Sequence, residues 1–359
     1  MLHLERRPNP SPVYVYLAPI IAGLLTLVAG ALLFSALGED PGRALHAFFI
    51  KPINNLYGIT ELFVKATPLC LCAIGLAIGF RGNVWNIGAE GQLTLGAVAG
   101  GGIALVFHDI APGNGWWLLP LMTLAGVMGG MAWASIPAFL RTRFNANEIL
   151  VSLMLTYVAL LFLSYLVHGP WRDPDGYNFP ESRLFADSAL LPVILDGYRF
   201  HLGGIVALFV VALGWVFVSR AYIGFQVRVV GLEPLAAGYA GFKANRIVWL
   251  SFLVGGGLAG MAGLFEVAGP IGQLNPSISP GYGFTAIIVA FLGRLHPAGI
   301  LFASLIMALT YLGGDTAQID LGLPRAITGV FQGLVLFFLL ACDVLIRYRL
   351  RAGVSREGA

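Results

Sequence analysis

The stretch "RGNVWNIGAEGQ", residues Arg81–Gln92, interrupts two long apolar runs with glycines, amides and a carboxylate. Its meaning depends on the solvent around it, and composition supplies that. Of 359 residues 58% are apolar and 11% charged, more apolar surface than a soluble domain of this length can hide. A bilayer core of about 30 Å takes roughly 20 apolar residues per helical span. Working outward from the interruption, runs near that length fall at 13–37, 60–80, 89–108, 116–140, 148–168, 202–219, 246–267, 283–293, 299–313 and 325–346, the eighth and ninth being short. The expectation is an all-α, polytopic membrane protein of about ten helices in one transmembrane domain, 1–346. Two loosely repeated halves, 60–168 and 246–346, are joined through a loop at 169–201 and a stretch at 220–246, and a basic tail follows at 347–359.

The first run follows "HLERRPNP" and is too long for a signal-peptide core, so it reads as a retained helix. Three cysteines make no disulfide framework, and Cys70 and Cys72 lie inside a span as packing residues. With ten spans both termini share one side. Of the 21 basic residues, all but Arg43, Lys51, Lys65, Arg172, Arg183, Arg199 and Arg325 then fall on that side, which the positive-inside rule makes cytoplasmic. The stretch 220–246 is cytoplasmic and the loop 169–201 extracytoplasmic on the same count.

Several chemistries are missing. None of the lysines, Lys51, Lys65 and Lys243, follows the glycine that a phosphate-cradling GxxxxGK[ST] loop requires. The six histidines form no HExxH pair, and there is no GxSxG elbow, so neither a catalytic residue nor a metal site is expected. Within the spans the main carboxylates are Glu90 and Glu266, few for a proton-driven machine.

A second interruption, "GPIGQLNPSISPGYG", places Pro270, Pro276 and Pro280 ahead of another small-residue helix. Paired interruptions mark a solute path, because unwound backbone at membrane depth is tolerated only where protein or water satisfies it. The first break equally suits an interfacial turn with Arg81 at the headgroups, Asn86 as a helix cap and Trp85 as an anchor; the second equally suits an extracytoplasmic loop stiffened by proline. Glycines in "AVAGGG" and "LVGGGLAGMAG" read as helix-packing contacts, and Asn145, Asn147 and Glu148 as capping residues. In the cytoplasmic stretch, Gly231 to Phe242 suits a short helix with a Glu-Pro start, exposed alanines and a closing glycine. Such a helix either lies in the headgroup plane or docks into a cytoplasmic ATPase, the energy source this chain lacks.

Taken in order, "GNVWNIGAEGQLTLGA", "NANEILVSLMLTYVA", "GLEPLAAGYAGFKANR", "SFLVGGGLAGMAGLFEVAG" and "SISPGYGFTAIIVAFLG" resemble the inner-membrane permease of bacterial ABC importers of the ribose and general nucleoside type, in the branched-chain-amino-acid-like permease family. The resemblance covers about residues 60–345. It implies a multi-pass subunit of the bacterial cytoplasmic membrane with no cofactor of its own. ATP is used by a cytoplasmic ABC ATPase, and the other partners are a second permease, related rather than identical, and an extracytoplasmic binding protein or lipoprotein. Lipid and a small solute are the remaining partners; nucleic acid is not one. "NIGAEGQ" stands where sugar permeases more often carry a "DLSVG"-like element, which favours a nucleoside over ribose. The implied path uses Trp85, Asn86, Glu90, Gln92, Tyr282, Phe284 and Thr285, whose polar groups suit ribose hydroxyls and whose rings suit a base. The implied ATPase contact uses Gly231, Glu233, Ala236, Ala237, Ala240 and Gly241. The rival readings are a stand-alone secondary carrier for a sugar or nucleoside and a non-transporting membrane scaffold.

Overall fold

The computed structural model describes residues 2–6, 12–110, 115–324 and 326–352. Arg7, Arg325, Arg356 and the tail beyond 352 lie outside the described residues. The helices are α1 (Pro12–Ala36), α2 (Pro41–Leu45), α3 (Leu56–Arg81), α4 (Ala89–Val106), α5 (Leu118–Phe144), α6 (Glu148–His168), α7 (Leu202–Ser219), α8 (Tyr222–Leu232), α9 (Pro234–Tyr239), α10 (Ala244–Glu266), α11 (Tyr282–Leu292), α12 (Pro297–Leu321) and α13 (Ala326–Arg347). Among the described residues eight helices have the length and apolarity to cross a membrane. Each of the ten expected spans coincides with a helix.

The ninth departs from expectation. It is not short, because α12 runs on through Gly313 and Gly314 to Leu321. Those glycines do not end the helix: a β-carbon on Gly313 would overlap the Phe48 backbone, and one on Gly314 the Thr328 side chain, so they are points of close packing. The chain ends also carry structure that an all-α reading omits. Strand β1 (Leu2–Arg6) pairs antiparallel with β2 (Tyr348–Ala352), which puts the two ends side by side.

By packing, the chain forms two compact units, Met1–Gly58 with Leu309–Ala359, and Ile59–Ala308. In the first, Phe34, Phe48 and Phe331 stack within a small core, Phe48 and Phe331 at 4.6 Å between ring centres. The second is built around α4, α5 and α10, which cross so closely that β-carbons on Gly96, Gly130, Gly256 or Gly260 would strike the facing backbone. Glycine lowers helix propensity by roughly 1 kcal/mol each. These helices exist because the close approach recovers that loss in contacts between backbones. Caps set their ends: Asn145, at φ 53°, closes α5, and the Asn147 carboxamide oxygen accepts from the Ile149 and Leu150 amides to open α6. Glu148 pairs with Arg141 at 2.6 Å.

Candidate functional site

The site lies in the second unit, where both interruptions meet. Arg81, the last residue of α3, donates from Nε to the Leu295 carbonyl at 2.9 Å, just past the end of α11. Nine residues later, Glu90 in the first turn of α4 accepts from the Gly283 amide at 2.6 Å, at the start of α11. The Gly281 and Tyr282 amides donate to Ser279 Oγ at 3.2 and 3.0 Å, which caps the start of α11 beside this contact. The 11 residues of α11 rise about 16 Å, roughly half a bilayer core. Residues 82–88 therefore climb beside α11 from one end to the other, which their extended reach of about 23 Å permits. A β-carbon on Gly283 would overlap the Glu90 backbone nitrogen, so the two helix starts are in direct contact. Two helix N-termini, each carrying partial positive charge from its unpaired amides, thus converge on one carboxylate.

The climbing segment satisfies itself largely with side chains. Asn86 and Gln92 are buried and exchange reciprocal amide bonds, Nδ2 to Oε1 at 2.9 Å and Nε2 to Oδ1 at 3.0 Å. Asn86 Oδ1 also accepts from the Gly88 amide at 3.0 Å, from two residues ahead of the cap position, which Gly88 itself occupies. The Ile87 amide donates to Ser152 Oγ on α6 at 3.2 Å. Trp85 is half-buried; its indole N–H reaches Asn83 Oδ1 at 2.9 Å, and its ring lies against Phe80 and Phe291. Of the remaining residues read from sequence, Tyr282 and Thr285 are buried and Phe284 half-buried on the first turn of α11.

The second break is satisfied differently. After a π-helical turn at Val267–Ile271, its backbone pairs with the loop 169–201. The Ser182 amide donates to Leu274 O at 2.9 Å, Phe185 to Gly272 O at 2.8 Å and Leu191 to Ala268 O at 2.8 Å, while the Leu274 amide returns a bond to Ser182 Oγ at 2.9 Å. This loop carries no recognisable motif, yet it is the missing strand-like partner of the unwound segment. Arg199, near its end, makes a two-pronged ion pair with buried Glu61 on α3. His201 caps α7 by accepting from the Gly203 amide on Nδ1 at 3.1 Å; burial pushes its imidazole down to about 4.

On the other flank, α9 begins at the Glu-Pro start expected for the short helix within Gly231–Phe242, while Gly231 and Leu232 belong to the end of α8. Pro234 lacks an amide proton and starts α9, and Gly241 at φ 80° follows its end. Glu233, Ala236, Ala240 and Gly241 are exposed. Ala237, expected to be exposed, is not: it packs inward with Val227, Val230 and Ile247. The outward apolar groups are Leu232, Leu235 (76% exposed) and Tyr239 (95%), which the alanine pattern did not reveal. Gly231 lies against the Arg81 carbonyl, so this stretch touches the foot of the climbing segment.

Residues 58–340 match the family described as the branched-chain amino acid transport system permease component. The chain belongs to this family. It is 36% identical to a glucose ABC transporter permease protein of Haloferax volcanii, over 99% of this chain and 95% of that one. It is 30% identical to a guanosine ABC transporter permease protein of Bacillus subtilis, over 96% and 97%. A nucleoside ABC transporter permease protein of Lactococcus lactis is 28% identical over 90% of each chain. As a member of this permease family, the chain is a multi-pass membrane subunit of an ABC importer. The residues missed from sequence, Ser152, Ser279, Gly283 and Ser182, are small and polar or bare, and no motif marks them; Gly88 and Gly91 pack directly on Ser152 and Thr156 of α6.

Proposed function

We propose that this permease carries a nucleoside, or a ribose-like sugar, along the seam where the starts of α4 and α11 meet, and that ATP hydrolysed on a separate cytoplasmic subunit drives it. The observation carrying this reading is the continuous contact from Gly231 to Arg81 and from the segment beyond Arg81 to Glu90 and Gly283. A displacement at α8–α9 acts on the foot of an extended segment whose other end sits on a half-span helix. Converging helix starts offer amide donors to solute hydroxyls, and Trp85 and Phe284 offer partly open ring faces. The exposed Leu232, Leu235 and Tyr239 give the ATPase an apolar seat beside Glu233. The termini lie side by side in the structure, and the surplus of basic residues in the loops on their side supports a cytoplasmic location for both. A related second permease and an extracytoplasmic binding protein or lipoprotein complete the assembly, and this chain performs no covalent chemistry. A guanosine transporter among the relatives supports the nucleoside; a glucose transporter keeps the sugar in play.

The test is co-purification from native membranes in mild detergent, followed by ATPase and uptake assays in liposomes with labelled nucleosides and sugars. A Walker-type ATPase that co-purifies and is stimulated by nucleoside is the expected result; ATP-independent flux by the lone chain would replace this reading with a secondary carrier. Glu233→Arg should leave membrane abundance and thermal stability unchanged while separating ATP hydrolysis from uptake, and normal uptake in that variant would remove the docking role.

A further inference from the structure

We propose that a recess beside α2, in the first unit, binds a phosphate-bearing anion, supplied by the headgroup of an anionic phospholipid. The recess encloses about 280 Å³ and is lined by Arg43, His46, Ala47, Lys51, Asp320 and Leu321. That is several times the ~30 Å³ share of one water molecule, room enough for a phosphodiester. Arg43 and His46 stand three residues apart on consecutive helical turns, so they face the same side. Lys51 Nζ lies 2.5 Å from Asp320 Oδ2. This pair offsets the one carboxylate among the lining residues and leaves the Arg43 guanidinium as surplus positive charge. Its planar fork of N–H donors matches phosphate oxygens. The nearby Asp40 is turned to the helix, where its Oδ1 accepts from the Arg43 backbone amide at 2.7 Å and leaves the guanidinium to the recess.

The surroundings select a lipid over a free ion. Ile50, next to Lys51, and Ile319, next to Asp320, are 52% and 83% exposed. On a membrane protein such side chains face acyl chains, so a headgroup seated on Arg43 would lay its tails along surface that otherwise has no partner in the chain. The charge count puts Arg43 and Lys51 on the extracytoplasmic side, so the headgroup is one of the outer leaflet, met there by a basic recess rimmed by apolar residues.

The experiment places the full-length protein in nanodiscs of phosphatidylcholine containing a minor fraction of phosphatidylglycerol, then quantifies the lipids retained after detergent extraction by native mass spectrometry. Phosphatidylglycerol should be enriched over its bulk fraction. Arg43→Gln should lower the enrichment about fivefold, the share of one basic residue near a membrane at ~1 kcal/mol. Asp320→Asn should raise it, because Lys51 is released; a merely structural lesion would lower it in both variants. Equal lipid ratios in the wild type and Arg43→Gln would overturn the proposal. Inorganic phosphate that binds and depends on Arg43, without phosphatidylglycerol enrichment, would overturn the lipid as the source while keeping the anion site.

Discussion

The two breaks meet at the same place but are held by opposite means. In the first, residues 82–88, the polar backbone is answered by neighbours in sequence: Asn86 takes the Gly88 amide and locks to Gln92. In the second, residues 267–281, much of it is answered by a distant loop whose own backbone supplies and accepts the bonds. A buried amide left unpaired costs free energy in either case. The first solution therefore rests on a few irreplaceable side chains, and the second on a pairing in which any one side chain matters less. The difference also separates the parts that can move: the first break is tied to α11 chiefly through Glu90 and Arg81, the second is pinned to the loop along several residues.

The largest effect should come from forcing the breaks apart. Gly283→Val places a branched side chain into the Glu90 backbone, and uptake in liposomes should fall to background; near-normal uptake would show that the contact is not needed. Asn86→Leu should follow, since it strands the Gly88 amide and the Gln92 carboxamide inside the protein. A loss of about 2–4 kcal/mol is expected from two such groups, read as a lower thermal midpoint in detergent, and adding Gln92→Leu should recover part of it.

Acid should loosen the second break. His201 packs against Gly269 in the π-helical turn, and its imidazole value of about 4 lies below the ordinary ~6.5 of an unfolded chain. Protonation would put a proton on the nitrogen that accepts from Gly203. The stabilisation is complete above about 6.5 and is lost as pH falls toward 4, the loss reaching roughly 1 kcal/mol by pH 5.5. His201→Gln should flatten this slope in a pH series of thermal midpoints, and an unchanged slope would assign it to another group. Ser182→Ala should have the smallest effect: the Leu274 amide loses its acceptor, about 1 kcal/mol, while the Ser182 amide still reaches Leu274 O. A cost as large as that of Asn86→Leu would erase the contrast between the breaks.

The helices were legible because apolar runs of span length have no other use, and the first break because amides and a carboxylate inside such a run must be satisfied or exposed. Asn86, Glu90 and Gln92 were therefore nameable, but their partners were not. Gly283 is 193 residues from Glu90 and offers only an amide, which every residue but proline has. Ser152 is one hydroxyl among many. Ala237 and the true surface of α9 were misread because six residues contain too few turns to fix which face points inward.

Read alone, the chain of residues establishes that this protein crosses a membrane, where its interruptions fall and that it carries no phosphate-cradling loop of the common kind. Each of these follows from local composition and spacing. Tertiary structure alone decided that both interruptions close on one carboxylate, that the unremarkable loop 169–201 completes the second, and that Gly231 rests on Arg81. The reason is that these contacts are made by backbone groups and by glycines, which look alike everywhere in a sequence and acquire identity only from what the fold places against them.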